Sequence, residues 1–458
     1  MKPTEPASAP PSPRPWPRGP RSGLLGGHVG EFAADPLTFL DRCAREHGDF
    51  VPLRFLHRKA VLLNDHDAIE AVLLTQSRRF RKVPGGGKSF VDRVFGQGLL
   101  TSEGPFWVRQ RRLMQPTFHR QRVSAYAPVI VDYARELMAG WRDGETREMH
   151  GDLSGLAARV LIRALFGTAV PPEIGAFERL SLESMREMRA RRGLLGFLRG
   201  LWPGDFSRRF HAMMDGLDGF IATQTAAHRA GQGDPGDILS MLLDARDDQG
   251  RGMTDAELRD ELMTLIAAGL DTTVLAMTWS CHLLARHPAA AATLARELDS
   301  VLGARPPTLA DLEALRYTQA VLREAMRLYP PAWIVTREAL EDVDLGGYRI
   351  PRGTMVLMSQ WLKHRDGRVF PDPLAFRPER WLGETALPKF AYFPFGGGPR
   401  ICIGSGLALM EAPLGLATLA QQYGFEPVST APVVPWASIT LHPEGGMPLR
   451  LRRREPGR

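Results

Sequence analysis

The chain has few cysteines, and it lacks the segments that mark secreted or membrane-spanning proteins. Among its 458 residues only Cys43, Cys281 and Cys402 are cysteines. Three widely separated cysteines make neither a disulfide framework nor a zinc cluster, and they suit a reducing compartment. The proline-rich start has no apolar core of the secretory type, and no run of about 18 apolar residues predicts a transmembrane helix. We therefore expect a cytoplasmic protein.

Dense basic runs and basic stripes interleaved with aromatic residues are also lacking, which argues against nucleic-acid binding. The formal net charge of +7 is spread along the chain. It indicates a solvated basic surface or a docking patch for an acidic partner. Length alone would suggest about three domains. The motifs below span most of the chain and depend on one another, so we expect a flexible tail over residues 1–24 and a single domain over residues 25–458.

The segment 395–404 is the most informative stretch that is present. It reads Phe-Gly-Gly-Gly-Pro-Arg-Ile-Cys-Ile-Gly and carries Cys402. A thiolate can ligate haem iron and push electron density onto it. Glycines on both sides of the sulfur allow positive φ and a close backbone approach to a flat cofactor, and Arg400 can reach a haem propionate. A helix is predicted from about Ser405, which would place the sulfur near a helix N-terminus. The alternative is a buried structural cysteine in a glycine-rich turn.

A second motif lies within a long apolar helix. Thr254 and Glu257 predict a capping box, and Pro288 predicts the end of a helix of about 32 residues, which is about 48 Å. Its middle reads Ala-Ala-Gly-Leu-Asp-Thr-Thr over residues 267–273. Glycine, an acid and two β-branched hydroxyls are unfavourable inside a buried helix, and such a violation indicates a site. Asp271 and Thr272 could relay protons there, and the alternative is a kinked structural helix.

Two further spacings bring polar side chains together. Trp107 and Arg111 are four residues apart, so both can face one carboxylate. Glu324 and Arg327 are three residues apart on an otherwise apolar helix, which predicts a buried pair. A buried pair needs further partners, and Arg380 can supply one.

These motifs, in this order, resemble the cytochrome P-450 family from about residue 24 to the C-terminus. Phe395, Gly398, Arg400, Cys402 and Gly404 match the fixed positions of its haem-binding signature. The resemblance implies a mainly α fold with a small β region. It places haem b between the long central helix and the helix that follows the cysteine loop. It implies that Cys402 is the axial ligand and the only metal ligand, and that the other cofactor-binding residues are Trp107, Arg111, Ala268, Arg337, Phe395, Arg400 and Gly404. Alanine at 268 cannot form the ester of some relatives, so haem should be non-covalent.

The resemblance also implies an activity. Asp271 and Thr272 match the family's oxygen-activation motif, which favours a monooxygenase that inserts one oxygen atom of O₂ into an apolar molecule such as a terpenoid, fatty acid or steroid. Glu324, Arg327 and Arg380 match a triad that supports the cysteine loop. A haem isomerase or peroxygenase, and a non-catalytic haem protein that binds a ligand, remain alternatives.

The resemblance further implies separate electron-donor proteins, because no flavin or nicotinamide domain is present. We expect a ferredoxin with its reductase, or a flavodoxin-type donor, to dock near Arg109, Arg112 and Arg120 of a monomeric enzyme. Segment 193–203 is either a lid over the substrate channel or an ordinary helix connection. The local pattern predicts an irregular, glycine-rich region over residues 78–100, strands over 332–337 and 449–453, and a return of residues 435–441 into the pocket.

Overall fold

The computed structural model describes residues 16–23, 26–83, 90–190, 205–233, 236–383 and 386–454. Helices dominate these residues, and the predicted mainly α fold with a small β region is confirmed. Phe39, Leu40 and Cys43 share one face of a helix predicted over Pro36–His47, and the structure has that helix with the same bounds. The α helices, numbered α1 to α16 in chain order, are Val29–Ala34, Pro36–His47, His66–Glu70, Phe90–Phe95, Gly104–Met114, Arg120–Val123, Ala127–Ala139, Met149–Phe166, Pro172–Ala190, Asp205–Arg229, Ile238–Asp244, Asp255–Arg286, Pro288–Leu302, Arg316–Leu328, Gln360–Lys363 and Ser405–Gln422.

Short strands form four small sheets. The strands β1 to β12 are Phe50–Phe55, Arg58–Leu63, Phe80–Arg81, Thr146–Glu148, Val335–Ala339, Val343–Leu345, Tyr348–Ile350, Met355–Met358, Tyr423–Pro427, Pro435–Ala437, Leu441–Pro443 and Pro448–Arg453. The largest sheet has the order β1-β2-β8-β5-β3, and the others are β10-β11, β4-β12-β9 and β6-β7. The local pattern predicts a hairpin of strands over residues 51–55 and 59–63, and this hairpin is confirmed, because β1 and β2 pair antiparallel.

Helix α12 is the element around which the described core is built. Its 32 residues begin with the predicted capping box of Thr254 and Glu257. Gly269 allows close packing against α8, since a Cβ there would approach Leu161 Cδ1 to 2.9 Å. The helix is long and apolar enough to cross a membrane, although no run of that kind was expected from the sequence. However, 72% of its 18-residue apolar window is buried in the protein. Its apolar character thus reflects its place in the core.

Some predicted boundaries differ from the structure. The strand expected at 332–337 is Val335–Ala339, because its pairing with β8 begins at Val335 and its pairing with β3 extends to Ala339. Region 78–100 is less irregular than expected, since it contains β3 and α4.

Residues 1–15 lie outside the described residues. Within the expected tail, Trp16 donates its indole N–H to the carbonyl of Arg349 at 2.9 Å and packs against the hydrophobic cluster that contains Val61 and Val356 of the largest sheet. The segment 193–203 also lies outside the described residues.

Candidate active site

The cysteine loop is shaped by two glycines in the left-handed region. Gly396 and Gly398 have φ of 71° and 65°, and a Cβ at Gly398 would overlap the carbonyl oxygen of Leu73 at 1.7 Å. Only glycine fits such a position. Gly404 was expected to use the same freedom, but its φ is −84°. A Cβ at Gly404 would meet no described atom within 4 Å, so this residue leaves open space instead.

Cys402 lies at the end of this loop and faces a cavity of about 590 Å³. Its backbone N–H donates to the carbonyl of Phe395 at 3.0 Å, which closes the loop. Helix α16 begins at Ser405, as predicted. Burial raises the pKa of the Cys402 thiol, while hydrogen bonds from the backbone of Gly404 and Ser405 and the charge of Arg111 lower it. The loop therefore presents one sulfur, with stabilising donors behind it, to the cavity.

Helix α5 brings Trp107 and Arg111 to the same cavity, as their spacing predicts. Arg111 Nη1 donates to the carbonyl of Ile401 at 2.9 Å, which ties the helix to the cysteine loop. The Arg400 guanidinium lies over the Trp107 ring, 4.1 Å from its centroid. Arg400 Nη2 donates to the Ser102 carbonyl at 3.0 Å and pairs with a carboxylate, that of Glu103, at 2.7 Å. Arg400 Nη1 is buried without a hydrogen bond.

Lys82, which no motif in the sequence indicates, lines this cavity together with Arg111, Arg337 and Arg400. Burial, and then the charges of Arg400 and Arg337, lower the pKa of Lys82 to about 7. Burial and the charge of Arg400 likewise lower the pKa of Arg337 to about 10. Cations depress one another's pKa values when too little negative charge lies among them. This wall of the cavity is thus suited to an anionic ligand.

The opposite wall comes from α12, where Ala268, Gly269, Thr272 and Thr273 line the cavity. The Thr272 hydroxyl donates to the carbonyl of Ala268 at 3.0 Å. A threonine that bonds back to the preceding turn can perturb a helix locally, yet α12 is continuous through this point. The small side chain of Ala268 is exposed toward the cavity.

Asp271 does not line the cavity with Thr272. Its carboxylate instead accepts a short hydrogen bond from the Thr440 hydroxyl, and Oδ2 lies 3.3 Å from His442 Nε2. His150 Nε2 lies 3.9 Å from the other oxygen, Oδ1. Burial alone would raise the pKa of Asp271, but His150, His442 and Thr440 together hold it well below its usual range. Residues 435–441 were expected to turn back into the pocket, but none of them lines it, and β10 and β11 bring Thr440 and His442 to Asp271.

Glu324, Arg327 and Arg380 form a buried network behind the cysteine loop. Arg327 donates Nε and Nη2 to the Glu324 carboxylate at 2.8 and 2.9 Å, and both side chains are fully buried. Arg380 Nε reaches Glu324 at 2.9 Å, and Trp381 Nε1 reaches it at 2.8 Å. Arg327 also donates to the carbonyls of His364, Pro373 and Ala375. The three residues therefore join α14 to the segment that leads into the loop.

The donor set fits the haem that the resemblance implies. A propionate carboxylate would satisfy the orphaned Nη1 of Arg400 and offset the charges of Lys82, Arg111 and Arg337. A flat macrocycle needs small residues on both faces, and Ala268 and Gly404 provide them. The Cys402 sulfur faces the same space. Haem would thus be held by these residues without a covalent link.

Comparisons with known proteins agree with this geometry. A family model described as Cytochrome P450 matches residues 17–449. The chain is 38% identical to cyclooctatin synthase of Streptomyces melanosporofaciens, over 91% of each protein. It is 35% identical to cyclooctat-9-en-7-ol 5-monooxygenase of the same organism, over 92% of each. It is 33% identical to pentalenene oxygenase of Streptomyces avermitilis, over 94% of this chain and 96% of that protein.

Proposed function

Because the chain belongs to the cytochrome P450 family, we propose that it hydroxylates an apolar terpenoid. The enzyme class is a haem-thiolate monooxygenase, with haem b bound through the Cys402 thiolate. Two of the similar proteins are named for oxygenation of cyclooctat-9-en-7-ol and pentalenene, which are terpenoids. The observation that carries the proposal is the cavity itself. Above the cysteine loop its wall is mostly apolar, with Leu99, Leu161, Leu165, Leu265, Ile334 and Val335.

We further propose distinct tasks for the residues of the site. Bound haem supplies the reductive activation of dioxygen. The apolar side chains orient the substrate and exclude water. Thr272 holds a proton at its hydroxyl on the cavity wall. Asp271 does not line the cavity; its partners Thr440, His442 and His150 keep it ionised, and its charge draws protons through them toward Thr272, its chain neighbour. Glu324, Arg327 and Arg380 support the loop and touch no reacting atom.

Electrons come from separate redox proteins, and we propose that these are a ferredoxin and its reductase or a flavodoxin-type donor. The expected docking patch needs one correction, because Arg109 is engaged within the chain. It pairs with Asp247 at 2.7 Å and Glu257 at 2.9 Å. Arg112 and Arg120 are exposed and remain candidates. We also propose that the enzyme is a monomer in the cytoplasm and that its residues 25–458 form one haem domain. The single domain is supported by one hydrophobic cluster that contains residues from Val94 to Leu451.

The substrate proposal is tested with haem-loaded enzyme, a ferredoxin and reductase pair, and ¹⁸O₂. The substrates are terpenoid hydrocarbons and alcohols, fatty acids and steroids, and products are identified by mass spectrometry. We expect one ¹⁸O atom in a terpenoid product, formed only when electrons are supplied. The Cys402→Ser variant, which replaces the thiolate by a hydroxyl, should lose this activity. Turnover of a fatty acid or steroid alone would refute the terpenoid class, and turnover without a donor would favour the isomerase or peroxygenase alternative.

A further inference from the structure

Three potential metal ligands from distant parts of the chain meet beside the site. His150 comes from α8, Asp271 from α12 and His442 from β11. One ligand atom from each residue lies within 4.8 Å of the other two. The rings of His150 and His442 both lie beside the Asp271 carboxylate, and their centroids are 5.5 Å apart. A cluster of two imidazoles and one carboxylate is a ligand set that Zn²⁺ commonly takes.

The distances suit a tetrahedral ion. With zinc–nitrogen and zinc–oxygen bonds of about 2.0–2.2 Å, neighbouring ligand atoms in a tetrahedron lie roughly 3.3–3.6 Å apart. Asp271 Oδ2 lies 3.3 Å from His442 Nε2 and Oδ1 lies 3.9 Å from His150 Nε2, and the three ligand atoms all lie within 4.8 Å of one another. Small side-chain rotations would therefore bring all three atoms to bonding distance.

His150 is the member whose Nε2 faces Asp271 without a hydrogen bond. Its Nε2 is buried and makes no hydrogen bond, since 3.9 Å is too long for one. Buried polar atoms of this kind are rare and call for an explanation. His442 Nε2, by contrast, already has the Thr440 hydroxyl at 2.9 Å. An ion at the centre of the cluster would satisfy His150 while keeping Asp271 in place.

The surroundings favour a cation. Glu178 of α9 also has a buried carboxylate oxygen without a hydrogen bond. Burial raises the pKa of Glu178 to about 7. Of the nearby groups, His150 lowers this pKa and the charge of Asp271 raises it, so the three groups lie close enough to influence one another. A divalent ion would favour the charged form of Glu178, and a water molecule could fill the fourth ligand position.

We propose that His150, Asp271 and His442 form a binding site for one Zn²⁺ ion, distinct from the haem site. Zinc there would fix the Asp271 carboxylate and block its exchange of protons. It would therefore inhibit turnover, a consequence that rests on the proposed role of Asp271. The site would give the enzyme a metal-dependent control that acts from a flank of α12 outside the cavity lining.

The site is tested by equilibrium dialysis of haem-loaded enzyme against Zn²⁺, because this measurement does not depend on activity. Wild type should bind one equivalent more than His150→Gln and His442→Gln, or bind it at least 10-fold more tightly. His150→Gln is the decisive variant, since the Nε2 atom that it removes makes no hydrogen bond in the folded protein. His66→Gln is the matched control, because His66 lies 3.7 Å from Asp67 on the surface without a second histidine in its pair. This control should bind zinc as wild type does.

Turnover with and without zinc is then compared within each protein. We expect zinc to inhibit wild type and His66→Gln, and to have at least 10-fold less effect on His150→Gln. Equal zinc binding by wild type, His150→Gln and His442→Gln would overturn the proposal, and would indicate that the cluster is a hydrogen-bond network only. Zinc binding that needs His150 but leaves turnover unchanged would support the site and count against the proposed role of Asp271.

Discussion

At the scale of single residues, Lys82 should matter more for haem than its position suggests. It lines the cavity with Arg337 and Arg400, and these charges help to lower its pKa to about 7. Haem propionates would supply the missing negative charge, so the bound cofactor and a charged Lys82 should stabilise each other. We expect Lys82→Met to release haem several-fold faster, measured by transfer of haem to an excess of a scavenging apoprotein.

Lys59→Met is the control for this change. Lys59 is an exposed lysine on strand β2, and it does not line the cavity. Its substitution should leave the rate of haem release unchanged. Equal haem release from Lys82→Met and wild type would mean that Lys82 contributes no charge to the cofactor.

At the scale of elements, the network of α14 should decide whether the cysteine loop is held in place. Arg327→Ala would remove two hydrogen bonds from Glu324 and leave that buried carboxylate with Arg380 as its one cation, beside the N–H groups of Trp381 and the Arg377 backbone. Breaking a buried pair in this way costs about 3–5 kcal/mol. We expect the variant to lose haem, measured as the absorbance of bound haem per protein after gel filtration.

Arg377→Ala provides a matched control in the same network. The backbone N–H of Arg377 donates to Glu324 at 2.9 Å and would persist in the variant. Its side chain is 54% exposed and pairs with Asp372, itself 70% exposed. Such surface pairs contribute about 0–1 kcal/mol, so this variant should keep its haem. Full haem retention by Arg327→Ala would refute the structural role of the triad.

The elements also show what the sequence could reveal. Local spacing predicted the bounds of α2 and α12 and the capping box, because side chains three or four residues apart must share a helix face. The resemblance predicted the approach of Arg380 to Glu324. The partners of Asp271 were not predicted. Thr440 lies 169 residues away along the chain, and neither its spacing nor that of His442 indicates the contact.

The same limit explains Lys82 and the boundary of β5. Lys82 lies in a region with no periodic pattern, and only the fold places it beside Arg337 and Arg400. Strand β5 begins where its neighbours allow pairing rather than where its apolar run begins. Local patterns therefore predict elements and motifs, whereas tertiary packing decides which side chains meet across the cavity wall.

At the scale of the whole molecule, the formal charge of +7 bears on how electrons reach the site. Attraction between a basic surface and an acidic donor speeds association and weakens as salt screens it. Arg112 is the most direct probe, because it is 71% exposed and its partner Asp248 is 91% exposed. Arg112 is next in the chain after Arg111, which lines the haem cavity and donates a hydrogen bond to the cysteine loop.

We expect turnover with an acidic ferredoxin to fall as ionic strength rises from about 0.01 to 0.5 M, since the screening length shrinks from about 30 Å to a few ångströms. Arg112→Glu should raise the KM for the donor several-fold at low salt, and the difference should shrink at high salt. Arg450→Glu, an exposed change of equal charge on strand β12, is the matched control. If both variants raise the KM for the donor equally, only the net charge of the enzyme affects docking. If turnover is insensitive to salt, docking does not depend on this basic surface. A large effect of Arg112→Glu alone would instead locate the donor beside α5, on the side of the haem held by Cys402.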